Sequence, residues 1–298
     1  LQELLVDVAL NVDEDRRVRE IALLALTRLG ADGTIRARLL PLAIAPDDPE
    51  DELKGFALMA LWEFPRQIEP AKMFAVLTPP KRENFFGAYR TFIEETLVRD
   101  LEPSLLPAAL AWLYERRPAC HYGGPFEALA DSILRCALNN LTDAILSDFG
   151  KAVRCRMESH NNHVFGWSRG KNIAQVALSV ETRRKLIGAL VRLHPASREG
   201  VYYGWDRHEP PLILQEDASW LLDQLEVESD PDTCVSWAKL IRNYYGAIDE
   251  RLHEAAFRHQ ELFEEFSFYF KEVAIDSPEA DRSRKLQREI ASREEEDQ

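Results

Sequence analysis

The chain has 298 residues, of which 46% are apolar and 30% charged, enough for one to three globular domains or one elongated repeat array. Its net charge of -14 repels phosphate backbones, which argues against a nucleic-acid partner. No run reaches the ~18 apolar residues of a membrane span, and the four cysteines form no CxxC pair, which favours a reducing cytoplasm and argues against a membrane partner.

An internal repeat with an offset of 35 residues opens the chain. Residues 13–26 align with residues 48–61, and the alignment pairs Ala22 with Ala57. Each copy has an apolar first helix, predicted over residues 1–10 and 35–44, an acidic turn and a second helix whose alanines permit close approach. Because such hairpins cannot bury their apolar faces alone, they stack on one another. The repeat therefore predicts an all-α fold, built as a curved α-solenoid.

Helical patterns continue beyond the repeat. Asp48 followed by Pro49 has the composition of a helix start, a cap residue and then a proline at the first helical position. Thr142 and Ser179 are further predicted caps. In the helix that Ser179 opens, arginines including Arg183 lie opposite an apolar stripe. After the repeat, helices are predicted near residues 82–99, 103–116, 125–139, 143–158, 180–194, 216–225, 231–245 and 250–272.

Three loops combine glycine, aromatic residues and histidine, and they are the predicted places for recognition: residues 117–126, 159–171 and 198–211. The third is the best binding candidate, because Tyr, Trp and Arg dominate interface hot spots. A loop that folds back to plug its own solenoid would use the same residues. The predicted partner-binding residues are Tyr202, Tyr203, Trp205, Arg207 and His208.

Patterns typical of catalysis are incomplete. His160 and His163 are three residues apart and could share a metal, but no second cluster of ligands accompanies them. Residues 166–172 have three residues between their glycines where a phosphate-binding loop has four, and an asparagine follows the lysine. Cys120 adjoins His121, and adjacent residues rarely orient as nucleophile and base. We predict no catalytic residue, no cofactor and no metal site.

Residues 13–30, with Val18, Arg19 and the closing Leu29 and Gly30, resemble the second helix of a HEAT repeat. Residues 212–222 are similar to helical regions that follow the NTPase module in bacterial NACHT-type STAND proteins. The resemblance implies a C-terminal region that senses a trigger, often a viral component, while an NTPase module in the parent chain fires an effector. The ligand stays unspecified, because sensors vary most within that family.

The predicted organisation has three parts. Residues 1–100 form HEAT-like helical repeats, residues 101–276 continue as irregular helical hairpins with long loops, and residues 277–298 form a charged, partly disordered C-terminal helix or tail. Leu1 falls inside a repeat's first helix, so we interpret the chain as a piece of a longer protein.

The function predicted from these features is a non-catalytic recognition or regulatory sensor solenoid of a larger cytoplasmic protein, a STAND-type NTPase in bacterial antiviral defence. Its expected partners are a protein or viral trigger and the NTPase module. Two alternatives remain: a protein scaffold or adaptor, and a metal-dependent hydrolase that uses the region of His160 and His163.

Overall fold

The computed structural model describes residues 1–29, 32–44, 48–63, 66–82, 86–116, 124–159, 178–193 and 213–245. Over these ranges the chain contains helices, turns and no strand, which confirms the all-α prediction. The chain divides into two compact units, residues 1–176 and 177–298.

The first unit begins with two helical hairpins. Its first helices are α1 (Gln2–Leu10), α2 (Arg16–Leu29), α3 (Gly33–Ala37), α4 (Leu40–Ile44) and α5 (Glu52–Trp62). The helix α2 packs on α1, α5 packs on α4, and α2 and α5 pack on each other. Ala22 and Ala57 are both buried, as the repeat predicts for positions of close approach. The two hairpins are therefore in contact through their second helices.

The remainder of the first unit is built from short and irregular helices followed by longer ones. They are α6 (Pro70–Val76), α7 (Ala88–Thr91) with a π-helical continuation (Phe92–Leu97), α8 (Leu106–Glu115) after a 3₁₀ turn (Pro103–Leu105), α9 (Glu127–Asn139) and α10 (Asp143–Ser159). The core contains Trp62 and Trp112, and Trp112 contacts Phe74 and Phe126 with ring centroids 5.8 and 5.1 Å apart.

The described part of the second unit contains three helices. They are α11 (Val180–Leu193), α12 (Ala218–Val227) after a 3₁₀ turn (Gln215–Asp217), and α13 (Pro231–Tyr245). The helix α13 packs on α11 and α12. Ser179 caps α11, because its Oγ accepts from the backbone N of Thr182 at 3.1 Å, which confirms the predicted cap.

The structure differs from the predicted helix boundaries at two prolines. Residues 35–44 are divided between α3 and α4, because Pro41 has no N–H with which to continue a helix from Ala37. Pro49 lies in a turn, and α5 begins only at Glu52. Asp48 nevertheless accepts a hydrogen bond from the backbone N of Lys54 at 3.0 Å. Its carboxylate thus accepts a hydrogen bond from the first turn of α5, although Asp48 lies four residues before the helix.

Candidate protein-docking surface

The predicted site residues cannot be placed. Tyr202, Tyr203, Trp205, Arg207 and His208 lie outside the described residues, as do His160, His163 and Cys120. The described residues contain three features that could serve a function: an exposed apolar face, a buried polar cluster around Lys54 and a buried ion-pair cluster around Asp217.

The exposed apolar face belongs to the first hairpin. Six of the eleven exposed large hydrophobic side chains among the described residues fall within the first 29 residues. We define the outer face as the flank of α2 that carries two of them, Val18 and Ile21. Exposed apolar residues scattered singly are ordinary, whereas a concentration on one element is typical of a surface that another protein covers.

The internal repeat shows what is missing from the outer face. The helix α5 has three main neighbours, α2, α4 and α7, whereas its counterpart α2 has only α1 and α5. Within the repeat, α1 corresponds to α4, because each packs on the second helix of its own hairpin. The helix that follows on the next side is α5 for α2 and α7 for α5. The third neighbour of α5 is α2, the second helix of the preceding hairpin, and α2 has no helix in the equivalent position. Among the described residues, α2 therefore lacks one flanking helix.

The exposed fractions of equivalent side chains agree with this. Val18 is 42% exposed, whereas its counterpart Leu53 is 5% exposed. Ala25 is half-buried, whereas its counterpart Ala60 is fully buried. Ile21 is 65% exposed, more than any other apolar residue of α2. The flank of α2 that carries Val18, Ile21 and Ala25 has the composition of a helix-packing surface and no helix on it in the described structure.

The buried polar cluster joins α5 to the segment that precedes α7. The ammonium Nζ of Lys54 donates to the Thr78 hydroxyl at 2.7 Å and lies 4.8 Å from the centroid of the Tyr89 ring. The Tyr89 hydroxyl donates to the carbonyl of Thr78 at 2.8 Å and accepts from its backbone N at 3.0 Å. Burial lowers the pKa of Lys54 to about 8, because it disfavours the charged amine. Burial also raises the pKa of Tyr89.

Two aspartates complete this polar cluster. Asp51 has a left-handed backbone with φ of 59°, and its carboxylate accepts from the backbone N of Lys81 at 2.9 Å. The other oxygen of this carboxylate is buried without a hydrogen bond and lies 3.9 Å from the Lys81 ammonium. That ammonium donates to the carbonyl of Asp48 at 2.6 Å. Together these bonds tie the start of α5 to residues 78–81.

The chemistry open to Lys54 follows from its enclosure. An amine with a lowered pKa is a potential nucleophile or base. The side chain is only 3% exposed and its Nζ is committed to Thr78, so a reactant has no approach to it. The polar cluster is therefore best understood as a structural junction between α5 and α7.

Lys54→Met should change how stability depends on pH. Burial of the charged amine lowers the unfolding free energy of the wild type. This loss is present in full below pH 8, and it disappears as pH rises toward 10.5, the pKa of lysine in the unfolded chain. The unfolding free energy of the wild type should therefore rise relative to that of Lys54→Met by about 2 kcal/mol between pH 7 and pH 10. Lys72→Met, at an exposed position of α6, is the control and should show no such rise. Parallel pH profiles for wild type and Lys54→Met, by urea denaturation, would refute the prediction.

The third place is an ion-pair cluster at the start of α12. Asp217 is fully buried and pairs with both Arg183 and Arg184, its carboxylate lying 3.0 Å from Nε of Arg184. The carboxylate also accepts from the backbone N of Leu214 at 2.9 Å. Arg183 is 5% exposed, so the prediction that placed it opposite the apolar side of α11 missed its burial. Its guanidinium pairs with Asp217, which lies outside α11, at the start of α12.

Aromatic rings extend this ion-pair cluster. The guanidinium of Arg184 lies 5.4 Å from the centroid of the Trp220 ring, which meets Trp237 edge-on at 5.8 Å. Every charge of the cluster has a partner within the second unit, so the arrangement stabilises the contact between α11 and the start of α12. It presents no unpaired charge to a ligand.

Comparison of the chain with family models, with curated proteins and with solved structures gives no match. Among the described residues, no group of three or more His, Cys, Asp or Glu side chains is arranged to hold a metal ion. None of the described helices is both long enough and apolar enough to cross a membrane.

The outer face was not recognised in the sequence. Its Val18 and Ile21 belong to the aligned repeat, and the alignment with Leu53 and Phe56 shows only that all four positions are apolar. Which of them has a neighbouring helix depends on how the hairpins are arranged. A usable indication was present, because apolar residues cover more than one side of α2, beyond what a single packing face requires.

Proposed function

We propose that this chain is a non-catalytic recognition region, a curved α-solenoid of stacked helical hairpins that binds a protein through its outer face. The observation that carries the proposal is the contrast between Val18, 42% exposed, and its buried repeat counterpart Leu53. A surface that accepts a helix in one repeat and lies open in the other is suited to receive a helical partner.

We further propose that this region belongs to a larger cytoplasmic protein. The similarity of residues 212–222 to helical regions of NACHT-type STAND proteins supports a sensor role beside an NTPase module, with a viral or other protein trigger. The aromatic loop from Tyr202 to His208 is a second proposed contact in that scheme. A scaffold or adaptor would use the same outer face without responding to a trigger.

Photo-crosslinking from the outer face tests the proposal. A benzoylphenylalanine introduced at Ile21 in the full protein, expressed in the cells that naturally contain it, should form a defined covalent adduct with a protein. The same probe at Val12 is the control, since that residue is 79% exposed but lies in the turn between α1 and α2. Adduct formation should be lost when Val18→Arg is added. Equal labelling from positions 12 and 21, or none from either, would overturn the proposal.

A further inference from the structure

An exposed threonine is the hydrogen-bond partner of a buried cation in the first unit. Thr78 lies in the extended segment between α6 and α7, and the residue is exposed. Its hydroxyl oxygen accepts from the ammonium of Lys54 at 2.7 Å, although Lys54 is only 3% exposed. Among the described residues this ammonium forms no ion pair, and the ring of Tyr89 is its other close neighbour. A buried charge usually has a counter-charge, so the hydroxyl of Thr78 occupies the place where one is expected.

The charged groups around Lys54 leave positive charge in excess. Those with the strongest influence on it are Asp51 and Asp48 before α5, Lys81 after the extended segment and Arg116 after α8. With Lys54 itself, three cations therefore face two carboxylates. Asp51 is already shared, because its carboxylate lies 3.9 Å from the ammonium of Lys81. A negatively charged group on the neighbouring hydroxyl would supply the missing counter-charge.

The residues that follow Thr78 are those that a proline-directed protein kinase selects. Pro79 comes directly after the hydroxyl residue, and Lys81 is third after it. Proline has no backbone N–H, so a kinase pocket that offers no acceptor there favours it over other residues. A lysine at the third place can pair with acidic groups of the kinase. Ser277 is also followed by a proline, but Ala280 stands at its third place, so the chain contains an internal comparison.

From these observations we propose that Thr78 is a phosphorylation site and that the ammonium of Lys54 binds its phosphate. In the reaction the hydroxyl oxygen bonds to the γ-phosphorus of ATP, the bond from that phosphorus to ADP breaks, and the hydroxyl proton passes to the base of the kinase. The phosphate carries a charge of about -2 near neutral pH, so it pairs with the buried ammonium and strengthens the junction between α5 and α7. This site is separate from the outer face and does not depend on the proposed recognition function.

Phosphorylation of the folded full chain tests the acceptor. A purified cyclin-dependent kinase, which requires the proline and favours a basic residue at the third place, should transfer one phosphoryl group from ATP to Thr78, located by peptide mass spectrometry. Thr78→Ala should abolish the transfer, whereas Thr78→Ser and Ser277→Ala should leave it in place. Absence of phosphate from Thr78 of the folded chain overturns the proposal. A synthetic peptide of residues 72–86 then shows whether the fold or the sequence prevents the reaction.

Urea denaturation of the phosphorylated chain tests the pairing with Lys54. At pH 7 phosphorylation should lower the unfolding equilibrium constant of the first unit by ~10-fold, because the buried ammonium gains a counter-charge. It should also reduce the rise in stability between pH 7 and pH 10, because the phosphate raises the pKa of Lys54 toward that of the unfolded chain. In Lys54→Met the kinase should still modify Thr78, and the gain in stability should be lost. A gain of equal size in Lys54→Met, or a loss of stability in the phosphorylated wild type, overturns the proposal.

Discussion

Asp217→Asn should lower the unfolding free energy of the second unit by about 3–5 kcal/mol, because it removes the buried carboxylate that pairs with Arg183 and leaves that guanidinium beside the exposed carboxylate of Glu216, at 2.8 Å. Arg183 is 5% exposed and pairs with Asp217, which is itself fully buried. The side chain of asparagine has the same shape but carries no charge, and its amide directs N–H groups at a guanidinium that also only donates. Urea denaturation combined with hydrogen exchange of α11 and α12 measures the loss.

Two further variants test whether the charge of Arg183 without Asp217 causes the loss of unfolding free energy. Glu216→Gln removes a carboxylate whose side chain is 56% exposed, and it should cost less than ~1 kcal/mol. Adding Arg183→Met to Asp217→Asn removes the more deeply buried guanidinium and should recover part of the loss. A double variant that is less stable than Asp217→Asn alone would mean that Arg183 acts through its packing.

Local pattern was sufficient to predict much of the helical structure. The helix α13 has the predicted bounds, and α9 begins two residues after the predicted start. In such segments the apolar spacing and the cap residues are contained within the helix itself, so neighbouring elements need not be known. Asp230, for example, accepts from the backbone N of Thr233 at 2.8 Å, the bond expected of a cap before α13.

Features that depend on distant residues were missed. The burial of Arg183 requires Asp217, which is 34 residues away, and a helical wheel treats an arginine opposite an apolar stripe as exposed. The start of α5 was placed at the wrong residue because Asp51 adopts a left-handed backbone that suits its bond to Lys81. The outer face was missed for the same reason, since exposure is decided by the arrangement of whole hairpins.

The helices α5 and α7 approach each other closely at Gly55, where a methyl group has no room. A Cβ atom at this position would stand 2.1 Å from the backbone N of Tyr89 and 2.4 Å from the backbone C of Ala88. Backbone atoms cannot rotate away as a flexible side chain does, so α5 and α7 would have to separate by more than 1 Å. The same approach allows the Glu52 carboxylate to accept from the backbone N of Ala88 at 2.9 Å.

Gly55→Ala should therefore destabilise the first unit by about 3 kcal/mol, although alanine favours a helix over glycine by about 1 kcal/mol. Gly188→Ala in α11 is the matched control, because its Cβ would meet only Nη1 of Arg192 at 3.6 Å. That substitution should stabilise α11 by up to ~1 kcal/mol through helix propensity alone. Hydrogen exchange of α5 and α11 gives the two local free energies. A lower free energy of unfolding for Gly55→Ala together with a higher one for Gly188→Ala would confirm that α5 and α7 are held at a spacing that only glycine permits. Equal increases for the two variants would show that α5 and α7 are further apart.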